Sequence, residues 1–163
     1  ASGSITAAIP VGTSTGSYYL IARADADNVV AELNEENNIY NRQVTVGTDL
    51  VVSSFSGPAT AGAGKAVTLS ATTKNYGPGD AGASLTRIYF STDSQYNSGD
   101  IALGDIPVAA LGVNQSASGS ITAAIPANTP TGSYYLIARV DADHVVAELN
   151  EENNTYSRMV MIE

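Results

Sequence analysis

The chain has 163 residues, with Lys+Arg at 7 against Asp+Glu at 16, a formal charge of −9, no Cys, no Trp and one His. This excludes a disulfide framework, thiolate metal sites and cysteine nucleophiles, and it denies nucleic acid the basic surface its phosphates need. No apolar run approaches the roughly 20 residues of a membrane helix, while 44% hydrophobic against only 14% charged residues, with 15 Gly, is a pattern of secreted and cell-surface β proteins rather than of a disordered chain.

Residues 1–47 open with neither an initiator Met nor a signal peptide. They return without a gap as residues 117–163, an offset of 116, with 36 of 47 positions identical. The repeating unit is therefore 116 residues long. It divides the chain into 1–47, the C-terminal half of a preceding β-sandwich repeat, and 48–163, one complete repeat. Three short strands with one apolar face, as residues 1–47 predict, are marginal alone. The chain thus reads as an excerpt of a longer tandem array.

Within the full unit, Asp49–Ser56 predicts a strand ended by Gly57-Pro58. Ala66–Lys74 alternates Val67, Leu69, Ala71 and Thr73 with polar neighbours and stops at Asn75-Tyr76-Gly77-Pro78-Gly79, a dense turn signal. Ser84–Ser91 is the next strand, and Ile101–Val108 crosses Pro107 and so belongs at a sheet edge. Gln115–Ala124, Gly132–Asp141 and Thr155–Ile162 complete the set. Between the last two, His144–Asn154 fits a single helical turn or a short strand equally. Seven short strands at this spacing predict an all-β, antiparallel β-sandwich of immunoglobulin or fibronectin III type. A barrel or jelly roll would want more strands.

The full repeat resembles the CARDB family, the cell-adhesion-related domain found in bacteria. Asp49-Leu50-Val51-Val52, Lys74-Asn75-Tyr76-Gly77, Ser91-Thr92-Asp93 and Ile125-Pro126 before Gly132-Ser133-Tyr134-Tyr135-Leu136 carry the resemblance. Most specific is Asp141-x-Asp143 followed by Glu148-Leu149-Asn150-Glu151-Glu152-Asn153-Asn154. The likeness covers residues 49–163, and residues 1–47 match the second half. It implies an immunoglobulin-like sandwich, in tandem on bacterial or archaeal extracellular proteins, without enzymatic activity and with no fixed ligand.

The acidic loop is the strongest local signal. Asp25, Asp27, Glu32, Glu35 and Glu36 recur as Asp141, Asp143, Glu148, Glu151 and Glu152, so two loops without Lys or Arg hold ten of the 16 acids. Such crowding wants either solvent or a cation, and Ca²⁺ suits an all-oxygen set. Asp25, Asp27, Glu32 and Glu35, with Asp141, Asp143, Glu148 and Glu151, are the candidate ligands. The alternative is a structural turn whose Asn side chains bond to the backbone. A second loop offers Asp93, Gln95, Asn97 and Asp100, but it lacks the closing Glu of an EF-hand. No cofactor is required by either reading.

Two strands offer interface candidates. Tyr135 and Ile137 form a second apolar face on their strand, coverable by a neighbour or shielded by Tyr and Arg stems of the same sheet. Met159 and Met161 replace Gln43 and Thr45 of the earlier copy, giving an adaptable apolar pair. The repeat junction is only Gly47-Thr48, shorter than a linker that permits free rotation. These features predict a non-catalytic structural or adhesive repeat of an extracellular protein, stacking stiffly into a stalk, sheath or fibre. Its partners would be neighbouring repeats and identical chains, not nucleic acid. A Ca²⁺- or carbohydrate-binding module, and an accessory domain of a secreted enzyme, are the alternatives.

Overall fold

The computed structural model describes residues 3–10 and 13–163. They form two compact units, one ending at Val46 and the other running from Gly47 to Glu163. Gly47 therefore falls in the second unit, one residue earlier than the repeat arithmetic placed the boundary. Its carbonyl accepts a hydrogen bond from Gly79 N–H at 2.7 Å.

The first unit contains an antiparallel hairpin of β1 (Gly16–Arg23) and β2 (Ile39–Val46), paired from Gly16↔Val46 to Arg23↔Ile39. A 3-10 turn, Glu35–Asn37, lies in its connection, with Asn34 Oδ1 accepting Glu36 N–H at 2.9 Å. Among the described residues, 3–10 adopt no strand, against the third strand expected within residues 1–47. The reason is visible in the second unit, where the equivalent segment is a strand only because it pairs with one that residues 1–46 do not contain.

In the second unit β3 (Leu50–Ser56), β5 (Ala66–Asn75) and β8 (Ser116–Ala124) make one sheet in the order β3-β5-β8. The other sheet takes β4 (Thr60–Ala61), β6 (Ser84–Ser91), β7 (Ile101–Val108), β9 (Gly132–Val140) and β10 (Thr155–Ile162), in the order β4-β10-β9-β6-β7. β4 was not expected. It pairs with β10 in parallel, so the sandwich is not antiparallel throughout. Pro107 does lie on an edge strand, β7, where its missing N–H leaves no ladder bond unmade.

Alternation along the strands sends one set of side chains inward. Leu50, Val52 and Phe55 of β3 and Leu69 and Ala71 of β5 share a core with Ile88 and Phe90 of β6, Leu136, Ala138 and Val140 of β9, and Val160 and Ile162 of β10. Within the core, Thr73 and Thr86 satisfy each other through hydroxyls 2.7 Å apart, one from each sheet. Strand direction gives the domain two ends. The leading end gathers Gly47–Asp49, the turn after β5 and the loop between β9 and β10. The trailing end gathers the loops that join β6 to β7 and β8 to β9.

Candidate functional site

The acidic loop between β9 and β10 forms neither the helical turn nor the strand considered for 144–154. Its chain turns at once after Val140, where Asp141 has φ +44° and His144 φ +52°. Asp141 is buried, and its carboxylate accepts the N–H groups of Val145 at 3.2 Å and Val146 at 3.0 Å. The first copy repeats this: Asp25 accepts Val29 N–H at 2.9 Å and Val30 N–H at 3.0 Å, with φ +41° at Asp25 and +52° at Asn28. Asn and His are among the residues that tolerate positive φ, which explains why His144 stands where the other copy has Asn28.

The remaining acids serve the same end. Glu151 accepts Glu148 N–H at 3.2 Å, and Glu35 accepts Glu32 N–H at 3.0 Å. Asn154 Nδ2 donates to Glu148 at 3.0 Å and to Glu151 at 3.4 Å. Glu148 also accepts the N–H of Leu50, so one half-buried carboxylate joins the loop to the first residue of β3. Thr48 adds its own bonds beside it: Leu149 N–H donates to its carbonyl at 2.8 Å and its hydroxyl donates to Ala147 O at 3.0 Å. Asn153 Nδ2 holds Asp49 at 2.9 Å. Asp143 accepts from Arg87 at 3.0 Å, a guanidinium shared with Asp105 at 2.7 Å.

Glu148 is the one carboxylate here held well above its ordinary range. Burial pushes it up to about 7, and the negative charges of Glu151 and Asp141 add to the effect, against the bonds from Leu50 N–H and Asn154. The folded domain therefore holds a proton on Glu148 more tightly than the unfolded chain does. The stability this gives is complete below the ordinary carboxylate value and is lost as the pH rises through about 7. The melting temperature of Gly47–Glu163 is expected to fall between about pH 5 and about pH 8. The slope should flatten in Glu148→Gln, and an unchanged slope in that variant would contradict the assignment.

Among the described residues no three His, Cys, Asp or Glu side chains converge on a common point. The carboxylates of Asp141, Glu148 and Glu151 face backbone N–H groups of their own loop or of β3 instead. The loop after β6 behaves likewise: Asp93 accepts Gln95 N–H at 2.8 Å, Asp100 accepts Asn97 N–H at 2.8 Å, and Asn97 accepts Gly99 N–H at 2.9 Å.

Of the interface candidates, Met159 is 57% exposed and Met161 38%, while Tyr135 is half-buried. Ile137 is different, being fully buried within its own domain, and it offers no surface to a partner. Tyr89 stands opposite it on β6, the Tyr96 ring lies 4.8 Å from that of Tyr89, and the Arg139 guanidinium covers Tyr96 at 4.5 Å. Tyr89 and Arg139 belong to the same sheet, and Tyr96 comes from the loop after β6.

The hub of the leading end is Asn75, which the sequence marks only as part of a turn. Asn75 is fully buried; its Oδ1 accepts Asp49 N–H at 3.2 Å and Gly77 N–H at 3.0 Å, and its Nδ2 donates to Gly79 O at 2.7 Å and Leu111 O at 3.2 Å. One amide thus ties the start of β3, the turn after β5 and the segment before β8. At the trailing end, an open cavity of about 660 Å³ is walled by Phe90, Ile101, Pro126, Pro130 and Tyr134. The rings of Phe90 and Tyr134 are stacked there at 4.9 Å.

The CARDB family model matches residues 1–42 and 47–158. Among solved structures, the chain is similar to the CARDB domain of a Pyrococcus furiosus protein in complex with di-metal ions, at 26% identity and a TM-score of 0.55 over 72% of this chain and 90% of that one. It also shares its fold with a domain of a proposed cell surface protein from Methanosarcina acetivorans, at 24% identity and a TM-score of 0.50 over 71% of this chain and 92% of that one. No curated protein sequence matches it.

Proposed function

The chain belongs to the CARDB family, and from that premise we propose that it is a non-catalytic structural or adhesive part of an extracellular protein built from such repeats. One observation carries the reading. Val46 ends β2, and the very next residue, Gly47, is already bonded to Gly79 in the following unit. On the reading that so short a junction resists rotation, successive copies would transmit bending and torque and form a stalk, sheath or fibre. The cell-surface description of the Methanosarcina relative supports the location.

Small-angle scattering on proteins of two, three and four such repeats tests this. The maximum dimension is expected to grow in proportion to repeat number, and a flexible Gly-Ser insert after Val46 should abolish that proportionality. Growth with the square root of repeat number in the uninserted series would sink the stiff-array reading.

Metal binding is the second reading, favoured by the di-metal complex of the Pyrococcus domain. Here the cation would share the carboxylates of Asp141, Glu148 and Glu151 with the N–H groups they accept, through lone pairs those bonds leave open. On this reading the melting midpoint is expected to be higher in Ca²⁺ than in chelator, and an unchanged midpoint would retire it. A site filled at 100 times Kd would add about 2.7 kcal/mol and raise the midpoint visibly.

A further inference from the structure

Two loops shape the cavity at the trailing end of Gly47–Glu163, and each is braced by its own bonds. In the loop between β6 and β7, Asn97 and Asp100 fix one another. Asp100 Oδ2 accepts Asn97 N–H at 2.8 Å, Asp100 N–H donates to Asn97 O at 3.1 Å, and Asn97 Oδ1 accepts Gly99 N–H at 2.9 Å. In the loop between β8 and β9, Pro126 and Pro130 have a fixed φ, and Pro126 O accepts both the N–H and the hydroxyl of Thr129, at 3.2 and 2.7 Å. Tyr134 of β9 lines the same cavity, half-buried, its ring stacked on that of buried Phe90 with the planes 23° apart.

The braced side chains keep hydrogen-bonding capacity in hand. Among the described residues, nothing engages Asn97 Nδ2, the second carboxylate oxygen of Asp100, the Asn128 amide or the Tyr134 hydroxyl, and all four side chains line the cavity. Tyr18, the counterpart of Tyr134, spends its hydroxyl on Ser14 O at 2.8 Å. The lining has no Lys, Arg or His and one charge, Asp100, so it repels anions. Two amides, a carboxylate and a phenol beside Ile101, Pro126 and Pro130 suit a ligand that combines hydroxyls with an apolar C–H face. The volume of about 660 Å³ is that of a small-molecule site.

The two copies part company at this wall. Val11/Ala127, Gly12/Asn128 and Ser14/Pro130 are three differences in the six positions 126–131, whereas the acidic loop 141–154 holds one in fourteen, at His144. The turn itself is kept, since Thr13 bonds to Pro10 O as Thr129 does to Pro126 O. Divergence on a rigid wall changes what the cavity holds and leaves the loop's own fold alone.

We propose that this cavity binds a neutral oligosaccharide, with a sugar ring against Tyr134 and its hydroxyls bonded by Asn97, Asp100 and Asn128. The carboxylate accepts from a hydroxyl, the Asn97 amide donates to one, and Asn128 does either. Loops already braced lower the ordering cost of binding. The site lies within one domain, so it stands whether or not repeats stack stiffly, which the scattering series reads separately.

The test titrates the 163-residue chain with neutral di- to tetrasaccharides of glucose, galactose, mannose and N-acetylglucosamine, followed by amide chemical shifts. For at least one of these sugars, shifts confined to residues 90–101 and 126–134 are expected. Asp100→Asn keeps the bond to Asn97 N–H, and Asn128→Gly installs the residue of the other copy. Each should weaken that sugar at least about tenfold with the melting midpoint unchanged. Tyr134→Phe keeps the stack on Phe90 and should cost about threefold. No shift at the cavity from any of these sugars would overturn the proposal. So would shifts that survive both Asp100→Asn and Asn128→Gly, or a Lys- or Arg-containing peptide that binds there where no sugar does, since Asp100 would then serve a cation.

Discussion

Asn75→Ala is expected to destabilise the Gly47–Glu163 domain by about 3 kcal/mol, among the largest single losses available to it. The amide is fully buried and serves Asp49, Gly77, Gly79 and Leu111 at once. Truncation leaves two N–H groups and three carbonyls, Gly112 O at 3.4 Å being the third, without that partner, at an end of the sandwich where backbone from three segments meets. Asn75→Asp keeps the acceptor side, loses the donor side and buries a charge, so it should fare no better. Urea unfolding followed by tyrosine fluorescence measures both. A loss below about 1 kcal/mol for Asn75→Ala would show that water replaces the amide without penalty.

Gly77→Ala should be comparable, for a steric reason. A Cβ on Gly77 would stand 2.5 Å from the carbonyl carbon of Thr48 and 2.6 Å from the nitrogen of Asp49. Both are backbone, held by Leu149 N–H on one side and Asn75 on the other, so neither can swing aside as a side-chain tip would. A loss of about 3 kcal/mol or more is expected. At Gly82, where an added Cβ meets nothing within 4 Å, Ala should stay within about 0.5 kcal/mol of the parent. Equal effects at the two sites would mean that the close approach at Gly77 is relieved by a shift of β3.

The strands were legible because their information is local. Period-2 alternation between Gly-, Pro- and Asn-rich turns marks β5, β6 and β9 without reference to anything distant. β4 escaped because two residues carry no period; its strand character comes from lying beside Met161 and Ile162. Ile137 shows the limit more sharply. Alternation correctly places it on the outward face of β9, but it is fully buried there, opposite Tyr89 of β6, more than 40 residues earlier in the chain. No pattern within Gly132–Val140 encodes that cover. The acidic loop was legible as a composition and not as a purpose. Its aspartate and glutamate side chains cap backbone N–H groups, and the local sign was available in the Asn28/His144 exchange, a substitution suited to positive φ. The Glu148 bond to Leu50 was out of reach, since it spans 98 positions.

That last bond sets an order of events in synthesis. β3 emerges early, but the carboxylate that holds its first N–H is made near the end of the chain, so the repeat stays unlatched until its final hairpin exists. Meanwhile a nearly identical hairpin, residues 16–46, has already been made upstream. The 47–115 segment is thus born between two matching mates, one ahead of it in time and one behind. Near-identity between adjacent repeats creates a risk of mispairing while the chain grows. The copies differ at five of the eight positions of the last strand, Gln43/Met159 and Thr45/Met161 among them, and Met161 is one of the two residues that β4 pairs with.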